Sequence, residues 1–263
     1  NGKTNGNGNT FVSWNWKAGG GQGSSNTAGS INTTYTSVNT TAGFSISKYT
    51  GNGTSGATIG HGLGAVPKWI IVKALNTTDN WEVYHASLGA EKYIELNLSA
   101  GEGDSTAIWN DTAPTDQLFT IGNNGGVNTN GNPYIAYCFA EKPGYSRFGA
   151  YTGNGNADGT FIYTGFKPAW VMIKRYDNSG ENWWMFDNKR STSGGTNVVN
   201  SGLQAQSTAT EYSNNNTFKL DFLSNGFKLR NSDGALNTNG GTYIYMAFGQ
   251  SIVGSNNIPA TAR

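Results

Sequence analysis

The sequence predicts an all-β protein built from tandem antiparallel β-sandwiches of the jelly-roll or lectin-like type, with one domain duplicated. The prediction rests on composition, on alternating apolar patterns and on an internal repeat. Glycine contributes 38 of the 263 residues, and aromatic and charged residues contribute 13% each. Gly, Asn, Ser and Thr are weak helix formers, whereas Thr and aromatic residues suit strands. The aromatic content also argues against disorder.

Three segments share one pattern, in which an Asn/Gly turn precedes a strand. They are NGNGNTFVSWNWKA at residues 5–18, NTNGNPYIAYCFAE at residues 128–141 and NTNGGTYIYMAFGQ at residues 237–250. Side chains two positions apart lie on the same face of a strand, so one face of each segment should lie in a core. The residues predicted to face a core are Val12, Trp14, Trp16, Ile135, Tyr137, Phe139, Ile244, Met246 and Phe248.

Further matched segments extend the repeat over most of the chain. Tyr49 and Tyr151 are each followed by TGNG, and the strand patterns downstream of them also correspond. The sequence therefore predicts two β-sandwich repeats, residues 44–141 and 146–250, that superpose from Tyr49 onto Tyr151. The corresponding strand segments are PKWIIVK (67–73) with PAWVMIK (168–174), and NWEVYHAS (80–87) with NWWMFDNK (182–189).

The remaining segments are assigned around these two repeats. Residues 1–17 are predicted to be the last strand of a truncated upstream repeat, which makes the chain the C-terminal portion of a longer protein. Residues 18–43 are predicted to be a Gly/Ser-rich linker and a hairpin strand, and residues 251–263 a C-terminal tail. Because bare indoles would promote aggregation, we expect Trp14 and Trp16 to be covered by a neighbouring chain or by upstream sequence.

Charge and motif spacing argue against several classes of function. The net charge is +1 and the basic residues are scattered, so we expect no nucleic-acid partner. No run of consecutive apolar residues, including residues 69–72, is long enough for membrane insertion. His61 and His85 lack the spacing of a zinc site, and no helix pattern follows the G-x-G-x-x-G at residues 51–56. We therefore expect no metal and no cofactor.

The sequence also predicts that the protein is not an enzyme and has no catalytic residues. It contains neither a nucleophile elbow nor a phosphate-binding loop, and its loop acids lack the spacing of a calcium loop. Under this prediction, no two carboxylates should face each other across a cleft. A carboxylate pair assembled from distant strands, as in a glycan-degrading enzyme, is the alternative that the sequence leaves open.

The candidate ligand-binding residues are Trp109, Asn110 and Asp111. They lie in IWNDTAPT, and Trp109 has no aromatic counterpart in the second repeat. An aromatic ring beside amide and carboxylate groups suits the binding of a neutral sugar. The alternative is that Trp109 plugs one end of its sandwich, because large aromatic side chains are usually buried.

Five segments of the chain resemble a family of repeat domains. They are WNWKAGG, GHGLGAVPKWIIVK, IWNDTAPT, YCFAE and MAFGQ. The family is found in tail-fibre and other virion-surface proteins of marine bacteriophages, including those of cyanobacteria, often next to laminin-G-like domains. The resemblance implies an extracellular, virion-surface location.

The resemblance also implies a virion structural protein, and we expect a tail-fibre or appendage module that attaches to the host surface by glycan binding. The expected partners are further copies of the chain in a homo-oligomer, a trimer by analogy with other fibres, together with other virion proteins and a host-surface glycan. One alternative is a capsid decoration or architectural fibre protein without receptor binding. Another is a secreted carbohydrate-binding module.

Overall fold

Antiparallel β-sheets make up most of the computed structural model, which describes residues 5–190 and 197–249. Eighteen strands and three one-turn helices are defined within those residues, which confirms the all-β prediction. The elements up to residue 139 are β1 (Tyr35–Asn39), β2 (Phe44–Thr50), β3 (Ala57–Gly60), β4 (Trp69–Ala74), β5 (Glu82–His85), β6 (Lys92–Glu95), β7 (Gly103–Asp104), α1 (Thr106–Trp109), β8 (Leu118–Ile121), α2 (Gly125–Asn128) and β9 (Pro133–Phe139).

The elements from residue 146 onward continue the same all-β pattern. They are β10 (Ser146–Thr152), β11 (Phe161–Tyr163), β12 (Pro168–Arg175), β13 (Trp184–Asp187), β14 (Val198–Val199), β15 (Gly202–Gln204), β16 (Leu220–Leu223), β17 (Gly226–Leu229), α3 (Gly234–Asn237) and β18 (Thr242–Gly249). The predicted C-terminal tail, residues 251–263, lies outside the described residues.

The two halves of the chain share one order of strands. In the first half, a seven-stranded sheet runs β1-β2-β9-β4-β5-β6-β7, and β3 pairs with β8 in a two-stranded sheet. In the second half, a five-stranded sheet runs β10-β18-β12-β13-β15, and a four-stranded sheet runs β11-β17-β16-β14. The series β2-β9-β4-β5-β6 and β10-β18-β12-β13-β15 correspond strand by strand. The pairs β3–β8 and β11–β17 correspond in the same way.

Three apolar cores separate these sheets. The first core has side chains from β3 and β8 on one side and from the seven-stranded sheet on the other. The second core is formed in the same way between the four-stranded and five-stranded sheets. The third core joins the outer faces of the two larger sheets. Its fully buried members include Trp69 from β4, Trp183 just before β13 and Ile244 from β18. The four sheets therefore form a stack in which both large sheets are covered on both faces.

Of the core-facing residues predicted for β9, Phe139 is confirmed as buried, whereas Ile135 and Tyr137 are only partly so. The side chains fully buried in the first core are Tyr134, Ala136 and Cys138, whereas Ile135 and Tyr137 are only half-buried on the opposite face. Phe139, also on that opposite face, is buried in the third core. The pattern misled because both faces of the sheet are covered, and the face of the first core carries small and hydroxyl-bearing side chains. In β18, the predicted residues Ile244, Met246 and Phe248 are buried in the third core.

A buried pair of tyrosines closes the end of each half. Tyr49 and Tyr134 stack with ring centroids 5.2 Å apart, and their hydroxyls donate to the carbonyls of Val127 and Gly125, each at 2.7 Å. The hydroxyls of Tyr151 and Tyr243 donate in the same way to Leu236, at 2.7 Å, and to Gly234, at 2.8 Å. The phenol hydroxyls thus satisfy carbonyls of the one-turn helices α2 and α3, which hold the turn before each final strand.

A buried asparagine at the end of α2 organises the same turn. The side-chain oxygen of Asn128 accepts from the backbone N–H of Asn52 at 2.9 Å. Its amide nitrogen donates to the carbonyls of Thr54 at 2.9 Å and Gly122 at 2.8 Å. Asn237 in the second half bonds in the same way to the backbone of Asn154, Asn156 and Asn231.

Replacing Asn128 with alanine should lower the free energy of unfolding by about 3 kcal/mol. The change leaves several buried backbone groups without a partner, at about 1–3 kcal/mol each. Asn237→Ala should cost about as much, whereas Asn130→Ala, on the exposed part of the same turn, should change stability by less than about 0.5 kcal/mol. Urea unfolding of the three variants measures the differences. Equal effects of Asn128→Ala and Asn130→Ala would contradict this role.

The N-terminal segment is not the predicted strand. No strand is assigned to residues 5–23, and residues 1–4 lie outside the described part. Trp14 and Trp16 pack against Trp170, with ring centroids 6.2 and 5.2 Å away, at the edge of the third core. The indole N–H of Trp14 also donates to a carboxylate oxygen of Asp187 at 3.2 Å. The indoles are therefore half-buried against the second half of their own chain.

The Gly/Ser-rich linker follows the edge strand β1. The N–H of Thr36 donates to Ser24 at 2.7 Å, and the N–H of Gly19 donates to the hydroxyl of Ser37 at 3.1 Å. Gly23 has φ 78°, and a Cβ there would lie 2.0 Å from the carbonyl of Thr36. Glycine thus allows the segment to lie against β1, which reduces the exposed hydrogen-bonding edge.

Candidate functional site

Trp109 is a core residue and cannot serve as a sugar-stacking platform. It is the last residue of α1, is 2% exposed, and packs edge-on against Tyr84 with ring centroids 6.0 Å apart. The alternative reading from the sequence, that Trp109 plugs one end of the first core, is what the structure shows. Polar neighbours in the sequence gave it the pattern of a binding residue, but α1 turns the ring inward.

Asn110 and Asp111 end helix α1 and do not form a pocket with Trp109. Both residues have positive φ, 51° and 48°, which reverses the chain after the helix. The side-chain oxygen of Asn110 accepts from the hydroxyl of Ser55 at 2.9 Å, so Asn110 joins two loops. Asp111 is exposed. The structure therefore does not bring the three predicted residues together as one binding surface.

The two histidines are buried and far from the pattern of a metal site. The ring Nδ1 of His85 accepts from the N–H of Ser87 at 3.0 Å, and burial lowers the pKa of His85 to about 4. Burial also lowers the pKa of His61, whose ring contacts the carbonyl of Thr115. Across the described part of the chain, no group of three or more His, Cys, Asp or Glu side chains is placed to hold a metal ion.

An acidic pocket of about 380 Å³ lies at one end of the first core. Strands β5 and β6 form one wall, and α1, the start of α2 and the loop before β5 complete it. Such a volume lies within the range of ordinary small-ligand pockets. The residues that line this acidic pocket are Thr78, Asp79, Asn80, Glu82, Tyr93, Glu95, Ile108, Asn124 and Gly126.

Glu82 is the most unusual residue of the acidic pocket. It begins β5, where it is 4% exposed, and its Oε2 has no hydrogen-bond partner among the described residues. Its Oε1 lies over Gly126, where a Cβ would come within 2.7 Å of it. Glycine at the first turn of α2 therefore makes room for this carboxyl group. A buried carboxyl group with an unsatisfied oxygen is destabilising and points to a role in binding.

Glu95 lies directly across from Glu82 in the pairing of β5 with β6. Its Oε1 accepts from the amide of Asn80 at 2.5 Å, and Asn80 in turn accepts from the amide of Asn97 at 2.9 Å. The indole N–H of Trp183, from the second half, donates to the backbone carbonyl of Glu95 at 3.0 Å. The position of this carboxylate is thus fixed from both halves of the chain.

Burial and two neighbouring acids disfavour a charge on Glu82. The pKa of Glu82 is raised to about 8, first by burial and then by the charges of Glu95 and Asp79. The pKa of Tyr93 is also raised, first by burial and then by the charges of Glu95 and Glu82. Glu82 is therefore mostly protonated at neutral pH. Glu82 and Glu95 lie side by side on one sheet face, so the expectation that no two carboxylates face each other across a cleft stays a prediction.

The second half repeats this pair of strands with different side chains at the two glutamate positions. Trp184 occupies the strand position of Glu82, and its partner across the strands is Gln204, in place of Glu95. The amide chain is also repeated, because the N–H of Trp183 donates to the side chain of Gln206 as the N–H of Trp81 does to that of Asn97. The ring of Trp184 stacks on Phe218 with centroids 4.0 Å apart and fills the space.

Sequence reasoning missed the acidic pocket although one signal was present. In the matched segments NWEVYHAS and NWWMFDNK, a glutamate stands where the second copy has Trp184. An acidic residue in a strand position that is aromatic in the other copy is a candidate buried acid. The contribution of Glu95 had no such signal, because the β6 region has no clear counterpart in the sequence alignment of the two halves.

The chain belongs to a family described as Domain of unknown function (DUF7483), which matches residues 1–251. The match spans both halves and includes the whole acidic pocket. No curated protein and no solved structure matches the chain. Among the described residues, no helix is long and apolar enough to cross a membrane.

Proposed function

We propose that the protein is a carbohydrate-binding structural module of a virion tail fibre or similar appendage, and that it binds host-surface glycan in the acidic pocket. The observation that carries the proposal is Glu82, a buried residue that lines a polar pocket and has one carboxyl oxygen without a hydrogen-bond partner. The matched strand orders support a duplicated pair of β-sandwiches, with the first half as the binding half.

The groups that line the acidic pocket suit a polyhydroxylated ligand. Carboxylates and amides offer several acceptors, and the protonated Glu82 and the hydroxyls of Thr78 and Tyr93 add donors. A sugar ring presents both kinds of group in fixed directions. Asn80 and Asn97 hold Glu95 in place before any ligand arrives, which lowers the entropy lost on binding.

The position of the two glutamates favours binding over hydrolysis. Paired residues on adjacent strands have Cβ atoms about 5 Å apart on one sheet face, so Glu82 and Glu95 share a single wall. Glycosidases instead place their carboxyl groups on either side of the bond that breaks. Hydrolysis is still the second candidate function, because Glu82, whose pKa is raised to about 8, lies beside a second carboxyl group, as a catalytic acid does in many glycosidases.

Location and assembly are proposed from the sequence resemblance to virion-surface proteins. The third core gives the two halves a common interior, which suits a rigid segment of an appendage. An architectural role without receptor binding would need only this rigid joint between the two halves and not the acidic pocket. Further copies of the chain and other virion proteins are the proposed assembly partners.

Binding to immobilised host polysaccharides tests the proposal. We expect Glu95→Gln to weaken binding about tenfold or more, because a hydrogen bond to a charged group contributes about 1.5–3 kcal/mol. Glu181→Gln is the matched control, since Glu181 precedes the second copy of the same segment and pairs with Arg175. Circular dichroism checks folding. Unchanged binding by Glu95→Gln would remove the acidic pocket from the proposal, and release of new reducing ends by the native protein would favour hydrolysis.

A further inference from the structure

The acidic pocket has an uncompensated negative charge. Asp79, Glu82 and Glu95 line it, and none of the described residues that line it is Lys, Arg or His. The nearest fixed partners of Glu95 and Asp79 are neutral, the amide of Asn80 and the hydroxyl of Thr77. Buried or partly buried carboxylates are ordinarily paired with a cation. The pocket therefore lacks a positive charge to pair with its carboxyl groups.

The missing partner should be a compact group rich in donors. The Oε2 of Glu82 is buried without a partner, and Glu95 and Asp79 add further acceptors. A primary ammonium group carries three N–H donors, no acceptor and one positive charge. A sugar hydroxyl could satisfy one acceptor but would leave the charge uncompensated. A carboxylate or phosphate group would be repelled.

A bare divalent metal ion fits less well than an organic cation. Within the described residues, no set of three acidic or histidine side chains converges with the geometry of a metal site. Hydrogen bonds to an ammonium group reach farther, about 2.7–2.9 Å, than the 2.3–2.6 Å of calcium–oxygen bonds. The volume of about 380 Å³ also leaves room for a ring attached to the charged group.

We propose that the acidic pocket binds a primary ammonium group, carried by an amine-bearing sugar such as a deacetylated hexosamine of a surface glycan. The inference rests on the proposed glycan-binding function and names the class of sugar. The unsatisfied Oε2 of Glu82 and the fixed carboxylate of Glu95 are the groups that hold the ammonium. The second half has no such site, because Trp184 and Gln204 replace the two glutamates. One ligand per chain is expected.

Binding should release a proton from the protein. Before the ligand arrives, Glu82 holds its proton at neutral pH because its pKa is raised to about 8 by burial and by its acidic neighbours. A positive charge beside the carboxyl group favours its ionised form. The ammonium group therefore displaces up to one proton from Glu82. A neutral sugar in the same pocket would leave that proton in place.

Titration calorimetry with a charge series of small sugars tests the inference. The probes are methyl glucosaminide, its N-acetyl derivative and methyl glucuronide, with putrescine as an ammonium source that lacks a sugar ring. At pH 6, we expect the free amine to bind tenfold or more tightly than the N-acetyl sugar, with one site per chain and no binding of the glucuronide. Measurements in two buffers of different ionisation enthalpy should show proton release with the free amine only.

Two variants assign the effect to the pocket. Glu82→Gln should remove the proton release and reduce amine binding at least tenfold, while Glu181→Gln should leave both unchanged. Equal or tighter binding of the N-acetyl sugar would overturn the ammonium inference and leave glycan binding in place. Binding of putrescine as tight as that of the amino sugar would support ammonium recognition and count against the sugar. Calcium competing at micromolar concentration, or no binding by any probe, would overturn the inference.

Discussion

Replacing Trp69 with alanine is expected to lower the free energy of unfolding by about 4 kcal/mol. Trp69 is fully buried in the third core, where it lies edge-on to His85 and packs against Phe148 and Trp183 of the second half. Removing a large buried aromatic ring forfeits its burial and leaves a cavity, at a typical cost of about 3–5 kcal/mol. Urea unfolding followed by circular dichroism gives the difference directly.

The control for Trp69→Ala is Tyr163→Ala, because Tyr163 is 64% exposed. That substitution should change stability by no more than about 0.5 kcal/mol. Hydrogen exchange adds a second readout, because Trp69 touches both large sheets. Protection should fall in β4 and β12 together. A loss confined to the first half, or a cost below about 1 kcal/mol, would show that the third core does not join the halves energetically.

Replacing Glu82 with glutamine is expected to raise the free energy of unfolding by about 4 kcal/mol at pH 8.5 and to change it little at pH 4. The pKa of Glu82 is about 8 when folded and 4.5 as a free side chain. The folded state therefore binds the proton of Glu82 more tightly than the unfolded state does. The resulting contribution to stability is complete below pH 4.5 and is lost as the pH rises from there through 8. Glutamine cannot ionise and escapes that loss.

Thermal melts between pH 4 and 9 measure this effect. The native protein should lose stability steadily from about pH 5 to 8.5 relative to Glu82→Gln. Glu181→Gln, which changes the second-half acid that aligns with Asp79, should keep the native profile. Parallel profiles for the native protein and Glu82→Gln would mean that Glu82 is ionised in the folded state.

The sequence predicted the strand-rich fold well because its signals were local. Asn/Gly turns and alternating apolar residues mark single strands, and Tyr49 and Tyr151 do begin corresponding parts of the two halves. The sequence did not predict which surfaces of the chain pack against each other. Alternation identifies an apolar face without saying what covers it, so the sequence could not show that Trp14 and Trp16 lie against Trp170 of the same chain.

The acidic pocket was beyond sequence reasoning for a different reason. Glu82 and Glu95 are thirteen positions apart, and only the pairing of β5 with β6 places them on one face. Trp109 gave the opposite error. Its polar neighbours in the sequence suggested an exposed binding residue, but helix α1 directs its ring into the core. In both cases, the direction of a side chain decided its role, and direction depends on tertiary pairing.

The shared third core allows the two halves to specialise. Trp184 and Phe218 pack together in the interior of the second half, whereas the corresponding position in the first half holds a buried acid that weakens the fold as the pH rises from about 4.5 to 8. Stability supplied through the common interface can offset that local weakness. Under the proposed function, substitutions around Glu82 can therefore alter the ligand that is bound while Trp69 and Trp183 keep the two halves packed together.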